Sequence, residues 1–204
     1  MTPERRSRIT SVLNHRQPDL TVIMENVQDP HNIAAVMRTC DAVGIQEIFV
    51  LNTTIGKYDY FGIRSSSTAS KWVTVRQYDN VDECMKAVKE RYYKVYATHL
   101  GESAKSMYEL DMAQPVALLF GNERKGVSEE ALKHCDGNFI IPQVGMIKSL
   151  NISVACAVTL YEAFRQRQQI GYYNGTARLP QEQWNTLSES WGMTPEESAA
   201  ETNE

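Results

Sequence analysis

The run Val116-Ala-Leu-Leu-Phe120 has no polar position at all. A strand with one face in water alternates apolar and polar residues. A strand without polar positions must be covered on both faces, which is the habit of parallel sheets packed between helices. Leu20–Glu25 (Leu-Thr-Val-Ile-Met-Glu) and Glu47–Leu51 (Glu-Ile-Phe-Val-Leu) read as further short buried strands. Helical patterns stand between such runs. Thr2-Pro3-Glu4 opens a helix to about residue 15, with Thr as cap and Pro at the first helical position. Asp29-Pro30 opens another, with Ile33, Val36, Met37, Cys40 and Val43 at helical spacing and Gly44 as its stop. Strands are expected at 72–75, Lys94–Thr98 and 138–141, and helices at 80–92 and 128–135. Ser149 or Asn151 opens a long helix whose first turns (Ile152, Val154, Ala155, Val158) are apolar, and a further helix is expected over 180–191. Strand and helix alternate, so the fold class is α/β, a mostly parallel sheet covered by helices on both faces. Ligands of such sheets gather at the carboxyl ends of strands. The segments to search follow Glu25, Leu51, Thr98, Phe120 and Ile141.

Charge narrows the function less than it first suggests. The 204 residues carry a formal charge of −4, against the basic total that many nucleic-acid binders show. Residues 189–204, however, hold Glu189, Glu196, Glu197, Glu201 and Glu204 and no Lys or Arg, leaving the other 188 residues at +1. No apolar run approaches the ~20 residues of a membrane helix, and the N-terminus lacks the apolar core of a secretory signal. Cys40, Cys84, Cys135 and Cys156 are widely spaced with no C-x-x-C, which predicts reduced thiols in a cytoplasmic protein and no metal site. The stretch 52–70, with Ser65-Ser66-Ser67-Thr68, reads as a long polar loop, and such loops are either functional or disordered.

The strand ends offer chemistry without a standard signature. Gly121 and Gly126 have phosphate-loop spacing, but Val127 and Ser128 stand where Lys and Ser/Thr are needed, and no G-x-G-x-x-G follows a strand. A plain glycine turn explains both glycines equally well. After Ile141 a glycine-bearing loop runs into a helix whose free N–H groups suit an anion. Ser149, Asn151 and Ser153 crowd its start, where capping alone accounts for one or two of them. Arg38 lies six residues after Asn32, so the two do not automatically face each other, and Arg38 reads equally as a surface partner of Asp41. His31 alone reads as a turn or capping residue. Residue chemistry alone stops at an α/β protein with a ligand loop and an arginine-rich N-terminus.

Three segments taken together say more. Asn32-(x5)-Arg38-Thr39, Gly121-x-Glu123-x-x-Gly126 and Ile141-Pro142-x-x-Gly145-x-x-x-Ser149-Leu150-Asn151-Ile-Ser153 resemble, in order and separation, the three motifs of the SpoU branch of the SPOUT methyltransferases. The flanks Arg16-Gln-Pro-Asp-Leu-Thr-Val-Ile-Met-Glu25 and Tyr161-Glu-Ala-Phe-Arg-Gln-Arg-Gln168 resemble the members that act on a tRNA guanosine. The resemblance implies a domain with a C-terminal deep trefoil knot over 19–170, preceded by a basic helix over 1–18 and followed by an extension with an acidic tail over 171–204. It implies a cytoplasmic homodimer that uses S-adenosyl-L-methionine to methylate a ribose 2′-hydroxyl in tRNA, at the D-loop guanosine of position 18. Other ribose methyltransferases of this branch, acting on ribosomal RNA or on the wobble ribose, are the alternatives, and a non-catalytic RNA- or cofactor-binding module is a third.

Carried over by motif, Arg38 is the catalytic arginine, Asn32 its support, and Glu123, Ser149 and Asn151 shape the site. Thr98, Gly121, Ile141 and Leu150 contact the cofactor, largely through backbone. Arg8, Arg16, His31, Arg165 and Arg167 face the RNA, joined by Arg5 and Arg6. Gln143 and Ile147-Lys148 depart from the family pattern beside the cofactor loop, and Lys148 adds a charge toward an RNA phosphate. A guanidinium with a pKa above ~12 is a poor base. The expected task of Arg38 is therefore to grip the adjacent phosphate and stabilise developing negative charge, with Asn32 orienting it.

Overall fold

Strands β1 (Leu20–Glu25), β2 (Glu47–Leu51), β3 (Thr74–Tyr78), β4 (Lys94–Thr98), β5 (Lys105–Ser106), β6 (Val116–Phe120) and β7 (Gly137–Ile140) build one all-parallel sheet in the order β3-β2-β1-β6-β4-β7-β5. The computed structural model describes residues 1–58, 69–92, 94–101, 103–147 and 149–201. The serine-rich segment 65–68 and Lys148 therefore lie outside the described residues.

Both faces of the sheet are covered, as the unbroken apolar strands require. From β6, Val116, Leu118 and Phe120 enter a cluster beneath α2 (Pro30–Ala42) and α5 (Ile152–Gln169). Ala117 and Leu119 enter a second cluster beneath α3 (Val81–Lys89) and α4 (Glu129–Leu132). Pairing of β1 with β6 runs from Leu20 opposite Val116 to Met24 opposite Phe120, so the two strands end level with each other.

A third cluster joins the chain ends. Ile9 and Leu13 of α1 (Pro3–Asn14) pack with Leu179, Trp191, Met193 and Trp184 of α6 (Gln181–Ser190). Trp191 meets the Trp72 ring edge-on at 5.2 Å. The acidic helix α7 (Pro195–Glu201) lies over the N-terminal basic helix, with Arg6 bound to Glu201 at 3.0 Å and the N-terminal amine to Glu197 at 3.3 Å. The C-terminal extension is thus packed against α1 as far as residue 201.

Two sequence expectations need correction. The strand expected at 72–75 begins instead at Thr74, after a 3-10 turn at Ala69–Lys71. Trp72 turns its ring to Trp191 and its carbonyl accepts from Arg16 (3.1 Å) and Gln46 (3.2 Å), so ladder pairing starts only where Thr74 meets Glu47. More consequential, Arg16 and Arg167 are fully buried and do not belong to an RNA-facing surface. Arg16 donates to Asp41 Oδ1 at 2.8 Å and to the Ile45 carbonyl at 3.1 Å, tying the end of α1 to α2 and β2. Arg167 donates to the carbonyls of Met112 (2.8 Å) and Gln114 (3.0 Å), to Gln17 (3.2 Å) and to Asp19. Arg178 completes this cluster on Asp19 Oδ2 at 2.8 Å and stacks on Tyr172 with its guanidinium carbon 3.4 Å from the ring centroid. Charge in a sequence says nothing of burial, and a buried guanidinium needs most of its donors answered; Arg16 leaves only its Nε without a partner among the described residues.

Burial alone would raise the Asp19 carboxyl, but hydrogen bonds and charge from Arg178 and Arg167 outweigh it and hold the group below the ordinary carboxylate range. A depressed folded-state pKa contributes stability above the unfolded value of about 4 and loses it as pH falls through the folded value. The urea midpoint is expected to drop as pH falls from about 4 towards 2, and Asp19→Asn should lower stability at pH 7 while flattening that acid limb. Arg167→Met strands the Met112 and Gln114 carbonyls while Arg178 still holds both oxygens of Asp19, and should cost about 1–3 kcal/mol in the same titration.

Candidate active site

Three loops at the carboxyl end of the sheet converge on one point. After β1, Asp29 caps α2 by accepting from the His31 N–H at 2.8 Å, and Pro30 occupies the first helical position. This sets Asn32 in the first turn of α2. After β6 the chain folds straight back. The Asn122 N–H donates to the Gly126 carbonyl at 2.9 Å and the Gly126 N–H to the Asn122 carbonyl at 2.8 Å. A Cβ on Gly121 would lie 2.2 Å from the Gly126 backbone, so only glycine fits there. Glu123 is carried at the exposed tip of this turn. After β7 the segment 141–150 leads to Asn151, which caps α5 by accepting from the Ser153 N–H at 2.9 Å.

These caps and turns bring Asn32, Glu123 and Asn151 together across a wide sequence separation. Asn32 Nδ2 donates to Glu123 Oε1 at 3.0 Å, and Asn151 Nδ2 donates to Asn32 Oδ1 at 3.2 Å. The second carboxylate oxygen of Glu123 accepts weakly from the Gln28 N–H at 3.4 Å, and Asn151 Oδ1 also takes the Ser153 hydroxyl at 2.6 Å. Each polar atom of the Asn32 amide is used, so its orientation is fixed from both sides.

Beside this network opens a cleft of about 460 Å³ between the ends of β4, β6 and β7. Thr98, Gly121, Ile141 and Leu150, the four expected cofactor contacts, all line it, together with Glu123 and Ser149. Leu100, Phe120, Ile141 and Leu150 give it an apolar wall. The Thr98 hydroxyl spends its one donor on the Leu119 carbonyl at 3.2 Å, which leaves it only as an acceptor beside the backbone groups of the cleft.

The remaining expected residues fall differently. Arg38 is exposed on α2 and has no hydrogen bond or ion pair among the described residues. Asp41 belongs to Arg16, which removes the surface-pair reading of Arg38. Within one chain Asn32 does not orient Arg38, because its amide is filled by Glu123 and Asn151. The His31 ring sits 2.9 Å from Asp29 Oδ1 and is largely exposed; the backbone and ring of His31 hold the Asp29 carboxyl below its ordinary range. Arg8 is exposed on α1, and Arg165 is exposed but paired with Glu162 at 2.7 Å. Sequence reasoning passed over Gln28, whose N–H meets Glu123, and Asn122, whose Asn-Glu pairing inside a glycine-bounded turn was the available signal.

Comparison with known proteins places this geometry among relatives. Residues 19–161 match the model of the SpoU rRNA Methylase family. The tRNA (guanosine(18)-2'-O)-methyltransferase of Thermus thermophilus is 47% identical over 190 residues, covering 93% of this chain and 96% of that one. The crystal structure of the Aquifex aeolicus TrmH/SpoU tRNA modifying enzyme superposes with a TM-score of 0.83 at 34% identity, over 94% of this chain and 98% of that chain. The SpoU methyltransferase AviRb from Streptomyces viridochromogenes, solved with AdoMet, superposes with a TM-score of 0.68 at 30% identity, over 76% of this chain and 62% of that one.

Asn151 serves the α5 cap and the Asn32 junction with different atoms, which makes them separable. Asn151→Ala should cost about 1 kcal/mol of stability through the lost cap. Asn151→Asp keeps the cap acceptor and should lose less in urea unfolding, while removing the donor to Asn32.

Proposed function

The chain belongs to the SpoU methylase family, and from that membership we propose that it transfers a methyl group from S-adenosyl-L-methionine to the ribose 2′-hydroxyl of the guanosine at position 18 of tRNA. The observation that carries this reading is the junction of Asn32, Glu123 and Asn151 beside a cleft lined by every expected cofactor contact. A tRNA substrate, rather than ribosomal RNA, is favoured by the extent of the likeness. The Thermus relative matches 93% of this chain, well beyond the 19–161 span that the family shares.

The cleft suits the cofactor on its own chemistry. Its wall of Leu100, Phe120, Ile141 and Leu150 fits a flat heterocycle. The backbone groups of residues 144–147 have no hydrogen-bond partner among the described residues and stand free for recognition. When bound, S-adenosyl-L-methionine supplies a methyl carbon made electrophilic by its sulfonium. The chain's own task is alignment and charge control, and alignment alone is worth several orders of magnitude in rate. Glu123 and Asn151 lock the Asn32 amide, so this side of the site is rigid before substrate arrives. Arg38 stays charged at neutral pH and has its five donors free, which suits it to grip the phosphate beside the target ribose and to stabilise negative charge growing on the 2′ oxygen.

The same proposal includes a homodimer, supported by an exposed apolar stripe. Leu150, Val154, Val158 and Tyr161 follow one another at helical spacing, and Val144, Met146 and Ile147 extend the patch. Surfaces of this kind on a soluble chain usually meet a partner. The trefoil knot is supported by strand order, since β6 and β7 each insert between strands that precede them in sequence. The tRNA-facing surface is carried by Arg5 and Arg8 of α1, with His31 near the site; Arg16 and Arg167 hold the scaffold instead.

Tritiated methyl transfer to unmodified tRNA, followed by mapping of the modified nucleotide, should place the label on the 2′ oxygen of guanosine 18. Absence of incorporation into any tRNA would remove the proposal in favour of a binding module. Arg38→Lys keeps the charge but loses the planar fork and should lower turnover by at least about tenfold. Binding of tRNA should weaken steeply with salt, and Arg8→Ala should reduce the slope of log K against log salt by about one.

A further inference from the structure

The end of β1 holds two polar residues that the chemistry above does not use. Asn26 is the one non-glycine residue with a positive φ (49°) among the described residues, and it is buried. That conformation is disfavoured for side chains with a Cβ, and asparagine is among the few that tolerate it. It turns the Asn26 carbonyl to accept from Asn122 Nδ2 at 2.7 Å. Its side chain faces the other way, where Oδ1 accepts from the N–H groups of Thr53 and Thr54, each at 2.9 Å, and Nδ2 donates to the Thr53 hydroxyl at 3.0 Å.

Asn122 then shapes the turn that carries Glu123. Its Oδ1 accepts from the N–H groups of Arg124 (2.9 Å) and Lys125 (3.0 Å), so the side chain bridges the β1 end and the turn it belongs to. The far end of the same segment is fixed by Glu25, whose Oε2 accepts from the Ser128 N–H at 2.9 Å. Glu25 is almost fully buried, and its Oε1 has no hydrogen-bond partner among the described residues. A left-handed backbone at a residue with a Cβ and a half-satisfied buried carboxylate, adjacent in sequence, each carry a local cost. Unfavourable local states of this kind persist where geometry is at a premium.

We propose that Asn26 is a positioning residue for methyl transfer. Its left-handed backbone places the carbonyl that anchors Asn122, and through Asn122 it holds Glu123 against Asn32. The inference rests on the function proposed above.

Asn26→Ala, which disfavours the left-handed backbone, should lower kcat by about tenfold with KM for tRNA unchanged. Asn26→Gly restores that backbone without the side chain and should recover kcat to within about threefold of the parent. Because Asn26 acts through Glu123, adding Asn26→Ala to Glu123→Ala should lower kcat little further, giving a sub-additive double-mutant cycle. Additive losses, an unimpaired Asn26→Ala, or an Asn26→Gly as slow as Asn26→Ala would each overturn the proposal. Amide hydrogen exchange at Arg124 and Lys125 provides a readout independent of turnover. It should accelerate in Asn26→Ala and return in Asn26→Gly, and unchanged protection in Asn26→Ala would also overturn the proposal. If the parent protein does not methylate tRNA while the exchange pattern holds, the functional reading fails and the anchoring of the Glu123 turn stands.

Discussion

The meeting of Asn32 with Glu123, on which the polar junction is built, depends on the parallel pairing of β1 with β6. Both strands are buried along their full length, so neither offers a side chain to solvent until the pair ends. Their register brings those ends level, with Met24 opposite Phe120. Glu25 and Asn26 therefore meet Asn122 and Ser128 at once, and the first turn of α2 meets the turn that carries Glu123. A slip of one residue would exchange the faces of β6 and put Leu118 and Phe120 into the wrong cluster. The apolar packing that enforces the register thus also fixes the polar junction, although no apolar side chain of the two strands bonds to it.

The fold was legible in the sequence where hydrophobic pattern and caps agreed. Val116–Phe120 could only be a doubly covered strand, and Asp29-Pro30 could hardly be other than a helix start. Asn32, Glu123 and Asn151 were reachable only through the resemblance of their motifs to a family; the structure brings the three together, but their own chemistry in the sequence did not set them apart. What could not be read was the partner of each charge. Arg8 and Arg16 differ by eight positions and look alike in sequence, yet one is exposed and the other sits between α1, α2 and Trp191. The distinction depends on Trp72 and Ile45, whose carbonyls receive the guanidinium, and no spacing rule announces such long-range acceptors. Asn26 was invisible for a related reason. Its importance lies in a backbone angle, and asparagine after a strand ordinarily signals only a turn.

The net charge of −4 acquires a structural meaning from α7. Two of its three acids are held, since Glu201 and Glu197 reach Arg6 and the N-terminal amine. These contacts are at the surface and each is weak. The stronger tie is the cluster of Ile9, Leu13, Trp184, Trp191 and Met193 beneath them. The extension therefore takes Arg6 partly out of any RNA-facing surface while leaving Arg5 and Arg8 exposed. On the proposed function, the acidic helix limits which face of α1 a phosphate backbone can follow, and the sum of charges gave no hint of that direction.

The arrangement also explains why one motif arginine is so weakly held. Asn32, Glu123 and Asn151 satisfy one another, so that half of the site is complete in the isolated chain. Arg38 is left with five donors and no acceptor among the described residues, and a cation in that position is stable only because it remains solvated. Preorganisation is confined to groups that must not move, whereas the group proposed to meet a phosphate keeps its donors unspent until one arrives. A rigid intramolecular partner for Arg38 would have to be displaced by substrate, and the binding energy would be reduced by that exchange. Leaving the guanidinium in water avoids this competition, and the rigidity required for alignment is supplied from the opposite side by the chain of contacts that begins at the end of β1.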